Sequence, residues 1–194
     1  MVLKDIFRNI YKGLRVESES NSDGKDYYVI YTRDVGNCVI NYSKDSIKCL
    51  NTDVKDKYLL KEGDIIIAAI PSNTTCHVGY CSSIEDDNVI INKNFIILRD
   101  PINNKYNLEF IAEYLENNGI KDFFEKNRTN KDALTVPEVE MITIPDISIE
   151  KQNDLMSLIN PINERNRLYN KLILNDAKIK KYLMNEVTDD AKQD

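Results

Sequence analysis

From Ser148 to about Val187 the apolar residues recur at helical spacing with no glycine to interrupt them. Leu155, Leu158, Ile159, Ile162, Tyr169, Leu172, Ile173, Ile179 and Leu183 fall along such a helix. A helix of this length cannot bury its stripe on itself. The stripe needs a partner, either the rest of the chain, a second copy or another subunit. Ser148 suits the N-cap, and Glu150 and Asp154 lie near the positive end of the helix dipole. Pro161 predicts a kink or a split into two helices. Steps of four and three through Leu168, Leu172, Asn175, Ile179 and Tyr182 make a short seam, with Asn175 as a polar position of the kind that fixes register. The tail from residue 188 to 194 is acidic and reads as disordered.

The preceding 147 residues follow a different pattern. Leu3 to Tyr11 reads as a short helix with Leu3, Phe7 and Ile10 on one face and Gly13 as its stop; Lys4, Arg8 and Lys12 form a basic stripe on another. After a polar loop from Val16 to Lys25, strands are expected at Tyr27–Tyr31, Cys38–Tyr42, Asp64–Ile70, His77–Cys81, Asn88–Ile91 and Phe95–Arg99. The Asp64–Ile70 run is nearly all apolar, as for a strand buried on both faces. Tyr106–Asn118 has a helical face ended by Asn117-Asn118-Gly119, and a second short helix follows from Ile120 to Phe124. A polar loop from Asn127 to Leu134 and a last strand at Val139–Ile144 complete the body. The expected fold is α+β: a curled mixed sheet with short helices over 1–147, a long pairing helix over 148–187 kinked near Pro161, and a tail over 188–194.

Composition, with 42% apolar and 30% charged residues, is that of a globular protein. The longest apolar run is far short of the roughly 20 residues a bilayer requires, and early charges at Lys4, Asp5 and Arg8 argue against a signal peptide. A cytoplasmic location follows. Cys38, Cys49, Cys76 and Cys81 sit among strand-like neighbours and read as buried free thiols. Cys76-His77-x3-Cys81 lacks a second ligand pair at zinc spacing, so no metal is expected. The single histidine, His77, has no nucleophile context around it, and the six glycines form no phosphate-cradling loop. Asp45, Asp53 and Lys55 are no more than chance would place together in so charged a chain. No catalytic residue and no cofactor is expected.

Four further segments occur in order. Leu3-Lys4-Asp5-Ile6-Phe7 precedes Lys12-Gly13-Leu14-Arg15-Val16, and Tyr58 to Ile67 contains Gly63-Asp64-Ile65. Asn127-Arg128-Thr129 leads through Leu134 to Val139, and Ile144-Pro145-Asp146-Ile147 runs on to Gln152 at the start of the long helix. Together these resemble the target-recognition domain of type I restriction-modification specificity subunits, with Ile147 at the place of that family's second proline. Members carry two such domains and two helices, so this chain resembles a half-subunit.

The resemblance implies a non-catalytic, sequence-specific reader of one half of a bipartite site in double-stranded DNA. Its partners would be an adenine methyltransferase subunit, which holds the S-adenosylmethionine, a second copy or another specificity half, and in some complexes a restriction subunit. Base readout falls to Thr32-Arg33 and to Ser72, Asn73, Thr74 and Thr75. Phosphate contacts fall to Lys4, Arg8, Lys12, Lys126, Arg128 and Lys131, with Thr129 and Asn130 in the same loop. Pairing falls to Leu155, Ile159, Ile162, Leu168, Leu172, Asn175, Ile179 and Tyr182. The charge of −6 is unusual for such a reader. Residues 1–147 carry 18 Lys and Arg against 24 Asp and Glu, and the remainder 8 against 8. DNA contact therefore requires local clustering or basic surface from the partners. The alternative is a truncated homologue that regulates or competes in assembly of the complex without binding DNA.

Overall fold

The apolar run beginning at Ile65 lies in the middle of a sheet. The computed structural model describes residues 1–16, 24–42, 47–50, 54–70, 77–127 and 133–190, with the backbone alone at 48–50, 170, 174 and 186–190. The strands among these are β1 (Phe7–Lys12), β2 (Lys25–Ile30), β3 (Val35–Gly36), β4 (Val39–Ile40), β5 (Ile47–Leu50), β6 (Ile65–Ala68), β7 (Val78–Tyr80), β8 (Val89–Ile91) and β9 (Phe95–Pro101). The helices are α1 (Leu108–Tyr114), α2 (Ile120–Asn127), α3 (Val136–Glu140) and α4 (Ile149–Asp190). A π-helical turn, Leu115–Gly119, joins α1 to α2. The chain divides into two compact units, Met1–Leu155 and Met156–Asp194.

In the first unit an antiparallel sheet is ordered β1-β9-β6-β7, and a second is ordered β5-β2-β8, with β2 parallel to β8. The sheet system is mixed, as expected. Ile66, Ala68, Phe95 and Ile97 from the first sheet pack with Ile30, Val89 and Ile91 from the second. The alternate residues Ile65, Ile67, Ile96 and Leu98 are equally buried, so neither face of the central strands meets water. That burial accounts for an apolar run without alternation. Gly13 joins the sheets: a Cβ there would stand 2.2 Å from the Asn92 carbonyl oxygen, so only glycine fits.

One ion pair holds the turn before β6. Arg99 on β9 donates to Asp64 from Nε at 2.7 Å and from Nη2 at 2.5 Å, and Nη2 also reaches the Leu59 carbonyl at 2.6 Å. Both partners are buried. Asp64 in turn accepts from the Lys61 N–H at 2.8 Å, which fixes the turn around Gly63 in its left-handed conformation.

Two expected elements are overturned. Leu3–Tyr11 is not a helix but a 3-10 turn, Leu3–Asp5, followed by β1. The spacing of Leu3 and Phe7 served either reading, and pairing with β9, remote in sequence, decided it. Val139–Ile144 is not a strand, because Val139 and Glu140 end α3. The Glu138 carboxylate accepts from the Thr135 N–H at 2.8 Å and hydroxyl at 2.6 Å, starting a helical turn that buries Val139. The strand expected at Cys38–Tyr42 shrinks to β4, paired with β3 across a tight turn in which Asn37 and Cys38 have φ of 50° and 56°.

The long helix is present, and it continues through Pro161 instead of splitting. Pro161 is exposed, so water can serve the carbonyl that loses its N–H partner. The helix also runs past Val187 to Asp190, three residues into the stretch expected to be disordered; 191–194 lie outside the described residues. Its start is fixed within the first unit. The buried Gln152 amide accepts from the Asn107 N–H at 2.8 Å and donates to the Ile147 carbonyl at 2.9 Å, while Asn107 itself caps α1. In the second unit the apolar stripe is open to solvent, with Leu158 70%, Leu172 58%, Ile179 56% and Tyr182 62% exposed. Among the described residues no helix is long and apolar enough to cross a membrane.

Candidate nucleic-acid interface

Strand direction gathers several polar segments at one end of the first unit. β1 ends beside the start of β9, where the Gly13 N–H donates to the Phe95 carbonyl at 3.0 Å. β6 ends at the same level, since Ala68 pairs with Phe95. The Ala68 N–H donates to the His77 carbonyl at 2.8 Å, and the Leu134 N–H to that of Ala69 at 2.6 Å. β8 and β2 end together too: the Asn92 amide donates to the Ile30 carbonyl, and the Leu14 N–H to the Ile91 carbonyl at 2.8 Å. This end therefore carries Lys12, the Tyr31–Asp34 turn and the Asn92–Asn94 turn. It also carries the flanks, at Ala69, His77 and Leu134, of two polar segments singled out in the sequence.

Lys12, Arg15, Arg33 and Lys93 are exposed here. Arg33 is 69% exposed and lies over the Tyr31 ring at 5.2 Å, beside Asp34 at 3.7 Å. Asp34 is turned inward, 8% exposed, and accepts from the Tyr31 N–H at 2.8 Å, so its charge fixes the turn and is largely withdrawn from the surface. Glu62, Asp64, Asp100 and the Glu85–Asp87 turn lie toward the opposite ends of the strands. Among the described residues, this end carries Lys12, Arg15, Arg33 and Lys93 with Asp34 turned inward.

The stripe inferred for Lys4, Arg8 and Lys12 is divided between the two ends. Lys12 reaches the polar end, whereas Lys4 sits in the 3-10 turn and Arg8 at the far end of β1. Arg33 joins Lys12. Lys126 closes α2. Ser72, Asn73, Thr74, Thr75, Arg128, Thr129, Asn130 and Lys131 lie outside the described residues, as do Asp45, Asp53 and Cys76 and the side chain of Cys49. Arg15 and Lys93 were not singled out in the sequence, although the Asn92-Lys93-Asn94 turn was readable there.

The neighbouring hairpin is fastened from outside. Glu116, presented by the π-helical turn, accepts from the Asn37 N–H at 2.8 Å and the Cys38 N–H at 2.6 Å, and the Cys38 thiol donates to it at 3.1 Å. Burial and then the Glu116 charge push the Cys38 thiol far up, so it stays protonated. The hairpin packs on Gly79, where a Cβ would stand 2.6 Å from Ile40, and Gly36 faces the His77 ring.

No family model matches the sequence, and no curated protein does. Solved structures do match. Over 85% of this chain and 38% of the other, the chain superposes with a TM-score of 0.54 and 17% identity on a structure describing complex assembly and conformational transition of the type I R-M system. The HsdS subunit from Thermoanaerobacter tengcongensis gives 0.52 and 17% over 85% of this chain and 37% of that one. The S subunit of a type I restriction-modification system from M. genitalium gives 0.53 and 17% over 88% and 40%. This is the fold of a type I specificity subunit. The chain spans about two-fifths of the length of each of these chains. At this identity it is the specificity-subunit fold that is shared.

Proposed function

We propose that this chain is the DNA-recognition half of a type I-like specificity subunit, non-catalytic itself, which reads one half of a bipartite site and recruits methyltransferase subunits. The observation that carries this reading is the gathering of Lys12, Arg33, Ala69, His77 and Leu134 at one end of a specificity-subunit fold. Ser72 to Thr75 and Arg33 would face base edges. Lys12, Lys126, Arg128 and Lys131, with Thr129 and Asn130, would hold the backbone. Residues 1–147 form the recognition domain in this reading, and 148–187 the spacer. Its exposed Leu155, Ile162, Leu168, Leu172, Ile179 and Tyr182, with Ile159 and Asn175, would pair with a second copy or another half, and Pro161 is the place for a bend. Two identical halves require a palindromic target.

Binding of duplex libraries across a salt titration, with and without the adenine methyltransferase subunit, tests the reading. Retention of one bipartite sequence in the complex is the expected result. The net charge of −6 favours a second reading, an assembly competitor that binds no DNA. Stable association with the methyltransferase and no sequence retained at any salt would establish that reading and sink the first.

A further inference from the structure

At the end of β1 away from Lys12 lies a cleft of about 830 Å³ between that strand and the Asp56–Lys61 turn. Its far wall is held with unusual firmness. The Lys57 carbonyl accepts from the Tyr11 hydroxyl at 2.8 Å and from Arg99 Nη1 at 3.2 Å, and Arg99 is itself locked by Asp64. The Lys57 ammonium lies 4.8 Å from the Tyr58 ring centroid and 5.9 Å from that of Tyr11. Lys4 and Arg8 line the same cleft. None of Lys4, Arg8 and Lys57 has an ion-pair partner among the described residues.

The carboxylates of the cleft are Asp56, Asp100 and Glu140. Asp56 is taken by Lys61, and Asp100 accepts from the Asn9 amide at 2.5 Å. Asp100 is in the left-handed region at φ 60°, where a non-glycine residue is strained, and the Arg8–Asp100 position is skipped in the β1–β9 register. With Arg99 neutralised by Asp64, four exposed cations face three carboxylates, a surplus of one positive charge. One phosphodiester carries one negative charge.

We infer that this cleft seats a backbone phosphate of the same duplex read at the polar end, held by Lys57, Arg8 and Lys4. The inference rests on the DNA-recognition reading. Arg8 lines the cleft and Lys12 is exposed at the other end of the same strand, so β1 carries a cation toward each end. From Arg8 to Lys12 the strand rises roughly 14 Å. That is about four steps of B-DNA at roughly 3.4 Å each, so a duplex lying along β1 presents backbone phosphates at both places.

The test measures duplex binding by the methyltransferase complex carrying wild type, Lys57→Gln or Arg8→Gln, using the retained sequence and a scrambled one, from 50 to 200 mM salt. Each variant should weaken both duplexes by the same factor and reduce the log–log salt slope by about 0.9. Over that range wild type then loses roughly 3.5-fold more affinity than either variant. An unchanged slope in both variants overturns the inference, as does loss of methyltransferase association with DNA affinity per complex unaltered. Failure of wild type to retain any sequence is a different result and strikes the parent reading.

Discussion

Replacing Glu116 with alanine removes the clamp on the Asn37–Cys38 turn without touching the core. Two N–H donors lose a carboxylate, and bonds of this charged kind contribute about 1.5–3 kcal/mol each. The Asn37 N–H is at the surface, where water replaces the acceptor, so only the half-buried Cys38 bond counts in full. Relief of the buried carboxylate offsets part of that loss. The expected destabilisation is ~1–3 kcal/mol, read as a lower urea midpoint at unchanged m-value. Asn37 sits in the left-handed region at φ 50°, where glycine has no Cβ to clash, so adding Asn37→Gly to Glu116→Ala should recover part of the loss. Peptide mapping after alkylation gives a local readout, with Cys38 becoming more reactive once its carboxylate neighbour is gone. The pH dependence has a defined sign. Burial raises the Glu116 carboxyl above its ordinary 4.5, against the lowering pull of the Cys38 and Asn37 bonds. Between 4.5 and that raised value the native state holds a proton the unfolded chain has released. Its stabilising contribution is therefore full below pH 4.5 and lost as pH rises through the native value, and Glu116→Ala should abolish that slope. An unchanged midpoint together with unchanged Cys38 alkylation would refute the clamp, and no recovery from Asn37→Gly would refute the strain argument.

Other outcomes follow from features already described. Arg99→Met leaves Asp64 buried and unpaired, and should cost about 3–5 kcal/mol by urea unfolding; pairing it with Asp64→Leu should cost less than the single change. Leu172→Asp with Ile179→Asp should abolish self-association or pairing in sedimentation velocity while the first unit unfolds as before. Arg33→Ala should lower discrimination between the retained duplex and single-base variants more than it lowers binding to scrambled DNA; equal losses on both would reassign Arg33 to the backbone. Gly13→Ala, which drives a methyl into the Asn92 carbonyl, should destabilise by about 1–3 kcal/mol, and a neutral result would mean the two sheets can part there freely.

The parts legible in the sequence were those whose signal is local. Ile65–Ala68 reads as a buried strand because its neighbours on both faces are apolar, and α4 reads as a helix because its spacing persists for many turns. Leu3–Tyr11 misled because three apolar residues cannot separate a helix from a strand whose pairing partner lies near residue 100. Val139–Ile144 misled because alternation over a few residues also fits an i, i+3 pair, here Val139 and Ile142, both buried. For the site, Arg33 and Lys12 were readable one by one as cations in or beside turns. Their meeting at one end depends on β1 running antiparallel to β9 and β2 parallel to β8, which no local pattern encodes. Lys57 was invisible for the same reason, since Tyr11, which grips its carbonyl, is 46 positions away.

In the pairing proposed above, the exposed stripe on α4 would also make dosage part of the mechanism. Its large apolar side chains are exposed, and covering them with a second copy would be a second-order event governed by mass action. Halving the number of chains in a self-pairing system cuts the number of completed pairs by up to fourfold when pairing is weak. A helix that pairs between chains would thus tie the number of completed pairs to more than the first power of expression, whereas two such helices within one polypeptide would not.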